Sequence, residues 1–130
     1  MQKLPVLIVN DDPAILDAVV EVAKEGNFHH YATRTGAEAL HLASLYDFSL
    51  AFIDLDLIDI DGPVFYEKLM ERESHYTLPL VAFFDSQDSF EVKAINQLVT
   101  QGQLTLFSKP PKKELLQNLF ERYVSSDDSV

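Results

Sequence analysis

Leu50-Ala51-Phe52-Ile53-Asp54 is a run of four apolar residues leading straight into a carboxylate. A strand with one wet face alternates apolar and polar residues. A continuous apolar run needs cover on both faces, as strands inside a parallel sheet have. Three more runs share this character: Val6-Leu7-Ile8-Val9, Leu80-Val81-Ala82-Phe83-Phe84 and Leu104-Thr105-Leu106-Phe107. A fifth, Phe28-His29-His30-Tyr31-Ala32, is more polar and suits an edge.

Helical spacing fills the intervals. Ile15, Val19, Val22 and Ala23 recur at i, i+4, i+7 and i+8. Asp12 is placed to cap that helix, Pro13 fits its first turn and Gly26 its C-terminal stop. Thr35 caps a second helix burying Leu40 and Ala43, and Phe65 and Leu69 mark a third. Val92, Ile95 and Val99, closed by Gly102, mark a fourth; Leu116, Leu119, Phe120 and Tyr123 mark a fifth. Strand and helix therefore alternate five times, and right-handed crossovers put helices on both faces of the sheet. The expected fold is α/β, a flavodoxin-like three-layer sandwich whose five-stranded parallel sheet runs in the order 2-1-3-4-5 with five helices. In that order the first and third strands are neighbours, and a crevice falls at their C-terminal ends.

Of the 130 residues 47% are hydrophobic, with nine Phe and five Tyr, enough for one globular core. The domain is expected to span 1–124. Ser125-Ser126-Asp127-Asp128-Ser129-Val130 reads as a flexible acidic and serine tail, a true terminus or the start of a linker. A net charge of −11 argues against direct contact with a phosphate backbone. The absence of cysteine excludes disulfides and thiolate metal sites and favours an intracellular location. Met1–Pro5 lacks the shape of a signal peptide, and no apolar run approaches the roughly 18 residues of a membrane span. A cytoplasmic protein is expected.

The crevice is acidic. Asn10-Asp11-Asp12 follow the first strand, and Asp54-Leu55-Asp56 end and follow the third. Clustered carboxylates disfavour one another's ionised form, so the cluster calls for a counter-ion or a shared proton. Oxygen ligands without His or Cys select a hard cation, and few carboxylates with retained waters suit Mg2+ better than Ca2+. The run from Asp54 to Gly62 lacks the Gly and Glu positions of a calcium loop. An aspartate beside a divalent cation can act as a nucleophile toward phosphorus, giving an aspartyl-phosphate, while the cation offsets charge on the phosphoryl oxygens. Lys109, at the end of the fifth strand, can bring a second positive charge to the same rim. His29, His30, His41 and His75 form no matching ligand set and are expected at the surface or half-buried. Lys112 and Lys113 are expected to be solvated.

Three motifs carry a family resemblance: Val6-Leu7-Ile8-Val9-Asn10-Asp11-Asp12-Pro13, Phe52-Ile53-Asp54 with Gly62, and Ser108-Lys109-Pro110. Together they resemble the receiver domain of two-component response regulators, over residues 4 to 124. The resemblance implies that Asp54 is the phosphoacceptor. Asp11, Asp54 and the backbone carbonyl of Asp56 would hold Mg2+, Lys109 would contact the phosphoryl group, and the Lys109–Pro110 bond would be cis. The phosphodonor would be a phosphohistidine on a sensor histidine kinase or a histidine phosphotransfer protein. The output would pass to a downstream protein partner or an output domain outside this chain. The face made by the fourth helix, fifth strand and fifth helix would serve a homodimer.

The departures are as specific as the matches. The first acid of the family's pair is matched by Asn10, which brings one less charge and lowers the expected Mg2+ affinity. The family's Thr or Ser after the fourth strand falls on Phe84, which has no donor. Asp85 follows, and Ser86 is the nearest substitute hydroxyl if a bulge brings it in. The switch aromatic is matched by Leu106, with Phe107 expected to face the other way. Ile58 stands where a proline is common. Two functions remain open: a receiver phosphorylated on Asp54, or a receiver-like module that binds partners without phosphorylation. A third comes from the Asp-x-Asp of Asp54 and Asp56, which resembles haloacid-dehalogenase-type phosphatases. Those enzymes carry the motif on the first strand and usually add a cap domain, so no enzyme is expected beyond the domain's own phosphoryl transfer and dephosphorylation.

Overall fold

The computed structural model describes residues 4–84 and 104–124. In chain order these form β1 (Val6–Val9), α1 (Pro13–Glu25), β2 (His30–Thr33), α2 (Gly36–Leu45), β3 (Leu50–Asp54), α3 (Gly62–Leu69), a 3-10 turn (Glu73–His75), β4 (Leu80–Phe84), β5 (Leu104–Ser108) and α4 (Lys113–Tyr123). The five strands make one sheet in the order β2-β1-β3-β4-β5, every pair parallel. This is the expected α/β sandwich. Four α-helices lie among the described residues, and α4 is the helix anticipated as the fifth. The helix expected around Val92, Ile95 and Val99, its stop at Gly102, Asp85, Ser86 and the tail 125–130 all lie outside the described residues.

Every residue of β1, β3 and β4 is buried, as continuous apolar runs require. Their side chains alternate between two cores. Leu7, Val9, Ala51, Ile53, Ala82 and Phe84 face α2 and α3. Val6, Ile8, Leu50, Phe52, Val81 and Phe83 face α1 and α4. On that second face Phe52 stacks over Phe83 and meets Phe120, with centroids 6.1 and 5.0 Å apart. Burying a ring or branched aliphatic of this size is worth about 1.5–3 kcal/mol each, which makes these layers the principal source of stability.

Local chemistry sets the helix ends. Asp12 accepts the Ala14 N–H at 2.9 Å, and Pro13 opens α1. The stop is divided between two residues. Gly26 caps the helix, but the left-handed residue is Asn27 (φ 57°). Gly26 is needed for another reason: a Cβ there would lie 2.3 Å from the ring of Phe28. Thr35 caps α2 through the Glu38 N–H at 3.2 Å. The face of α2 that is fully buried carries Gly36, Ala39 and Ala43, while Leu40 is half-buried against the same core. Small residues on the inner face let this helix approach the sheet closely, so Leu40 is displaced to its margin.

One expectation is corrected. His75 is fully buried, because the 3-10 turn folds it under the end of α3. There it stacks near Phe48 at 6.3 Å, and its Nδ1 lies 3.0 Å from the Leu69 carbonyl, which satisfies a buried polar atom. Lys113 is exposed, as expected, and its Nζ pairs with Glu25 at 3.2 Å across the α1–α4 contact. Nearby, Phe28 stacks on Phe120 at 5.0 Å.

Candidate functional site

The parallel order places the ends of β1 and β3 side by side, with Val9 opposite Ile53. The segments that leave these two strands therefore share one crevice. Asn10 is 2% exposed. Its backbone N–H donates to the Thr33 carbonyl at 3.1 Å, and its Oδ1 accepts the Asp12 N–H at 2.9 Å. That Asx turn bends the chain off the sheet and leaves Asp11 on the rim, half-buried. Asp11 Oδ2 accepts the Ile58 N–H at 3.2 Å from the loop after β3.

Asp54 ends β3 and is 2% exposed. Its Oδ1 accepts the Asp56 N–H at 2.9 Å and pairs with Lys109 Nζ at 2.8 Å. Its Oδ2 is buried without a hydrogen-bond partner among the described residues. Lys109 reaches the site because β5 lies beside β4, where the Lys109 N–H donates to the Phe84 carbonyl at 3.1 Å. Its Nζ also meets Asp56 Oδ2 at 3.1 Å. The Lys109–Pro110 bond is cis.

The electrostatics reflect this geometry. Burial pushes the Asp54 carboxyl up, and the Asp11 charge adds to it; Lys109 and the Asp56 N–H oppose the rise without cancelling it. Burial alone would lower Lys109, but its hydrogen bonds to Asp54 and Asp56, and their charges, hold the ammonium above its ordinary value. One half-buried cation thus keeps its charge, while its principal partner lacks full compensation. A second cation on Oδ2 would supply the rest.

The donor set suits a hard divalent ion. Asp54 Oδ2 is an orphaned, buried anionic oxygen, and Asp11 is close enough for its charge to act on Asp54. No group of three His, Cys, Asp or Glu side chains able to hold a metal occurs among the described residues. Two carboxylates with carbonyl and water oxygens fit Mg2+, which keeps much of its hydration, better than Ca2+, which wants more protein oxygens.

Of the residues singled out in the sequence, Asn10, Asp11, Asp54, Asp56 and Lys109 converge here. Phe84 and Leu106 do not. The Phe84 side chain, 1% exposed, fills the core under α2 and α3, and only its carbonyl serves the site through Lys109. Leu106 packs on that same core and Phe107 on the opposite one, as alternation along β5 requires. Two contributors are invisible to motif reading: the Ile58 N–H on Asp11, and Asp59, whose carboxylate accepts the Gly36 and Ala37 N–H groups at 2.9 and 3.0 Å. Nothing in the spacing of the acids shows which of them reaches a helix more than twenty residues upstream. Asp11, Arg34, Thr35, Ile58 and Asp59 line a cleft of about 520 Å³ beside the acids. A hollow of about 340 Å³ between α2 and α3, lined by Leu40, Ala43, Lys68 and Arg72, stands apart from them.

Known proteins share this fold. Residues 6–121 match the response regulator receiver domain. The chain is 38% identical over 64 residues to the cell cycle response regulator CtrA of Brucella ovis, a stretch covering 49% of this chain and 26% of that protein. The fold superposes on a CheY-like receiver domain protein from Methanospirillum hungatei with TM-score 0.77 at 23% identity, covering 94% of each chain. It superposes on the chemotaxis response regulator CheY4 of Vibrio cholerae with TM-score 0.79 at 21% identity, over 94% of this chain and 99% of that one. A third likeness, TM-score 0.79 at 18% identity over 96% and 100%, is to the receiver domain of the sensor histidine kinase PA1611 of Pseudomonas aeruginosa, solved with a magnesium ion coordinated in its active-site cleft. An acidic crevice between β1 and β3, a lysine from β5 and a family match along nearly the whole chain lead to one conclusion: this chain belongs to the response regulator receiver domains, the signal-receiving modules of two-component systems.

Proposed function

We propose that this receiver accepts a phosphoryl group on Asp54 in the presence of Mg2+, from a phosphohistidine on a sensor histidine kinase or a histidine phosphotransfer protein. The observation that carries the reading is Asp54 itself, buried, held at Oδ1 by Lys109 and the Asp56 N–H, and unpartnered at Oδ2 among the described residues. In the transfer a carboxylate oxygen attacks phosphorus, the P–N bond of the donor breaks, and its electron pair returns to the imidazole. Asp11, Asp54 and the Asp56 carbonyl would hold Mg2+, which when bound would supply positive charge against the phosphoryl oxygens. The magnesium in the receiver of PA1611 supports that choice of metal. Lys109 supplies the fixed positive charge on the other side of Asp54. The Asn10 amide supports the turn that presents Asp11 and adds no charge to the crevice. The state of Asp54 then reaches a protein partner or an output domain; the stretch matched here covers about a quarter of the curated relative.

A second reading has its own observation. Phe84 is a buried core ring without a hydroxyl and Leu106 a half-buried aliphatic packed on the same core, so neither supplies the hydroxyl or the rotating ring that a phosphate-driven two-state switch of this family would use. A module that binds its partner independently of phosphate would have that character. Treatment of the full chain with Mg2+ and phosphoramidate or acetyl phosphate decides between them. The first reading expects the mass to rise by one phosphoryl group, with no such rise in Asp54→Asn. An unlabelled wild type would favour the second. Continuous turnover of a phosphate ester would instead favour the phosphatase reading, against which the position of Asp54 on the third strand counts.

A further inference from the structure

We infer that Ile58 and Asp59 form a strap that presents Asp11 to the cation, with Asp59 as its positioning residue. The inference rests on the metal reading of the site.

Asp11 sits on a turn at the end of β1, and the Ile58 N–H on its Oδ2 at 3.2 Å ties it to the far wall of the crevice. That donor belongs to the loop between β3 and α3, and the Ile58 side chain is 91% exposed, so its own packing does not hold it in place. The next residue does. Asp59 accepts two backbone N–H groups at once, Gly36 at 2.9 Å and Ala37 at 3.0 Å, from the first turn of α2. Those amides belong to the unsatisfied set at a helix start, and a carboxylate is the favoured partner there. The two donors draw the Asp59 carboxyl below the usual carboxylate range. Contact between the loop and α2 is close as well, since a Cβ on Gly36 would fall 2.2 Å from Ile60 Cγ2. Thr35 caps the same helix separately through the Glu38 N–H, so α2 keeps its own cap without Asp59.

The consequence is a division of labour at Asp11. One carboxylate oxygen is engaged by a backbone donor whose place is set by α2, which fixes the orientation of the group that must meet the ion. Hydrogen bonds that orient a ligating side chain typically change metal affinity about 10- to 100-fold when removed.

The test is the Mg2+ dissociation constant of the full chain, from calorimetry and from amide shifts in 15N spectra, with no phosphodonor present. Asp59→Asn loses one of its two acceptors and sets an NH2 against a backbone N–H. Ile58→Pro deletes the donor to Asp11. Both positions are exposed, so a folded protein is expected from each, and either one decides. Each variant is expected to bind Mg2+ about tenfold more weakly. The double variant should be no weaker than the worse single, because both break one strap. His41→Gly, at an exposed position of α2 beyond its first turn, weakens the helix without touching the Gly36 and Ala37 amides and should stay within about twofold of wild type. Wild-type affinity in either Asp59→Asn or Ile58→Pro would overturn the strap, as would an equal loss in His41→Gly, which would make helix stability the cause. Absence of Mg2+ binding by the wild type would overturn the metal reading and the strap with it, an outcome distinct from the first two.

Discussion

Asp54 and Lys109 show how one residue's environment sets another's chemistry. Asp54 is buried beside Asp11, and the ammonium at 2.8 Å is the principal charge that makes this tolerable. Removing it with Lys109→Ala should cost about 1–3 kcal/mol in urea unfolding at neutral pH, the penalty of an uncompensated buried acceptor. In an Asp54→Asn background the same change should cost less than half as much; equal costs in the two backgrounds would mean that the pair does not couple. Phe84 makes the opposite point. Putting the family's hydroxyl back with Phe84→Thr removes a ring that is 1% exposed, so it should lose about 3–5 kcal/mol, most of it cavity. A variant as stable as wild type would show that Phe84 is not a core residue. The acids, the lysine and the substituted Phe were all legible as residue types at strand ends. Whether a given side chain turned to the site or to the core followed from alternation for Leu106 and Phe107. For Asp59 it did not, because its partner is a helix start more than twenty positions away.

At the scale of elements, caps and close approaches decide how strands deliver their ends. Asp12→Ala removes the acceptor for the Ala14 N–H and should destabilise the chain by about 1 kcal/mol, read from its thermal melt. Gly36→Ala tests the approach of the β3–α3 loop to α2. With a Cβ 2.2 Å from Ile60 the loop must shift, and the overpacking should cost about 1–3 kcal/mol. Hydrogen exchange at the Gly36 and Ala37 amides should accelerate in the same variant; unchanged protection would show that the loop yields without letting go of the helix. The strands, the α1 cap and the apolar faces of α1, α3 and α4 were readable from periodicity and end signals. The inner face of α2 was not, since Ala39 and Ala43 rather than Leu40 are fully buried there. A small residue at an interface signals its burial only by the closeness of the approach, and that closeness is a tertiary quantity.

Over the whole molecule, stability should respond to both cation and pH. If Mg2+ binds only the folded chain, saturating it to about 100 times its dissociation constant should add about 2.7 kcal/mol, reversed by EDTA. The pH response comes in part from Asp47, whose hydrogen bonds to Ser74 and Arg72 hold its carboxyl below the ordinary 3.8. A lowered folded-state value means the contribution is present above the unfolded value and fades as pH falls through the folded one. Asp47→Asn should therefore melt lower than wild type by a constant margin from pH 6 to 8, and the margin should close below about pH 4. A margin that persists into acid would assign the loss to packing. Among the described residues no helix is long and apolar enough to cross a membrane.

Local pattern alone determined a five-stranded parallel sheet, its order and the strand ends at which the acids gather, because two-sided burial leaves continuous apolar runs and right-handed crossovers leave few topologies. Only the tertiary structure decided which oxygen of Asp54 lacks a partner among the described residues, that Lys109 spans two aspartates, and that Asp59 ties the loop to α2. Hydrogen bonds act over about 3 Å between groups that lie far apart along the chain, and no periodicity in the sequence records that distance.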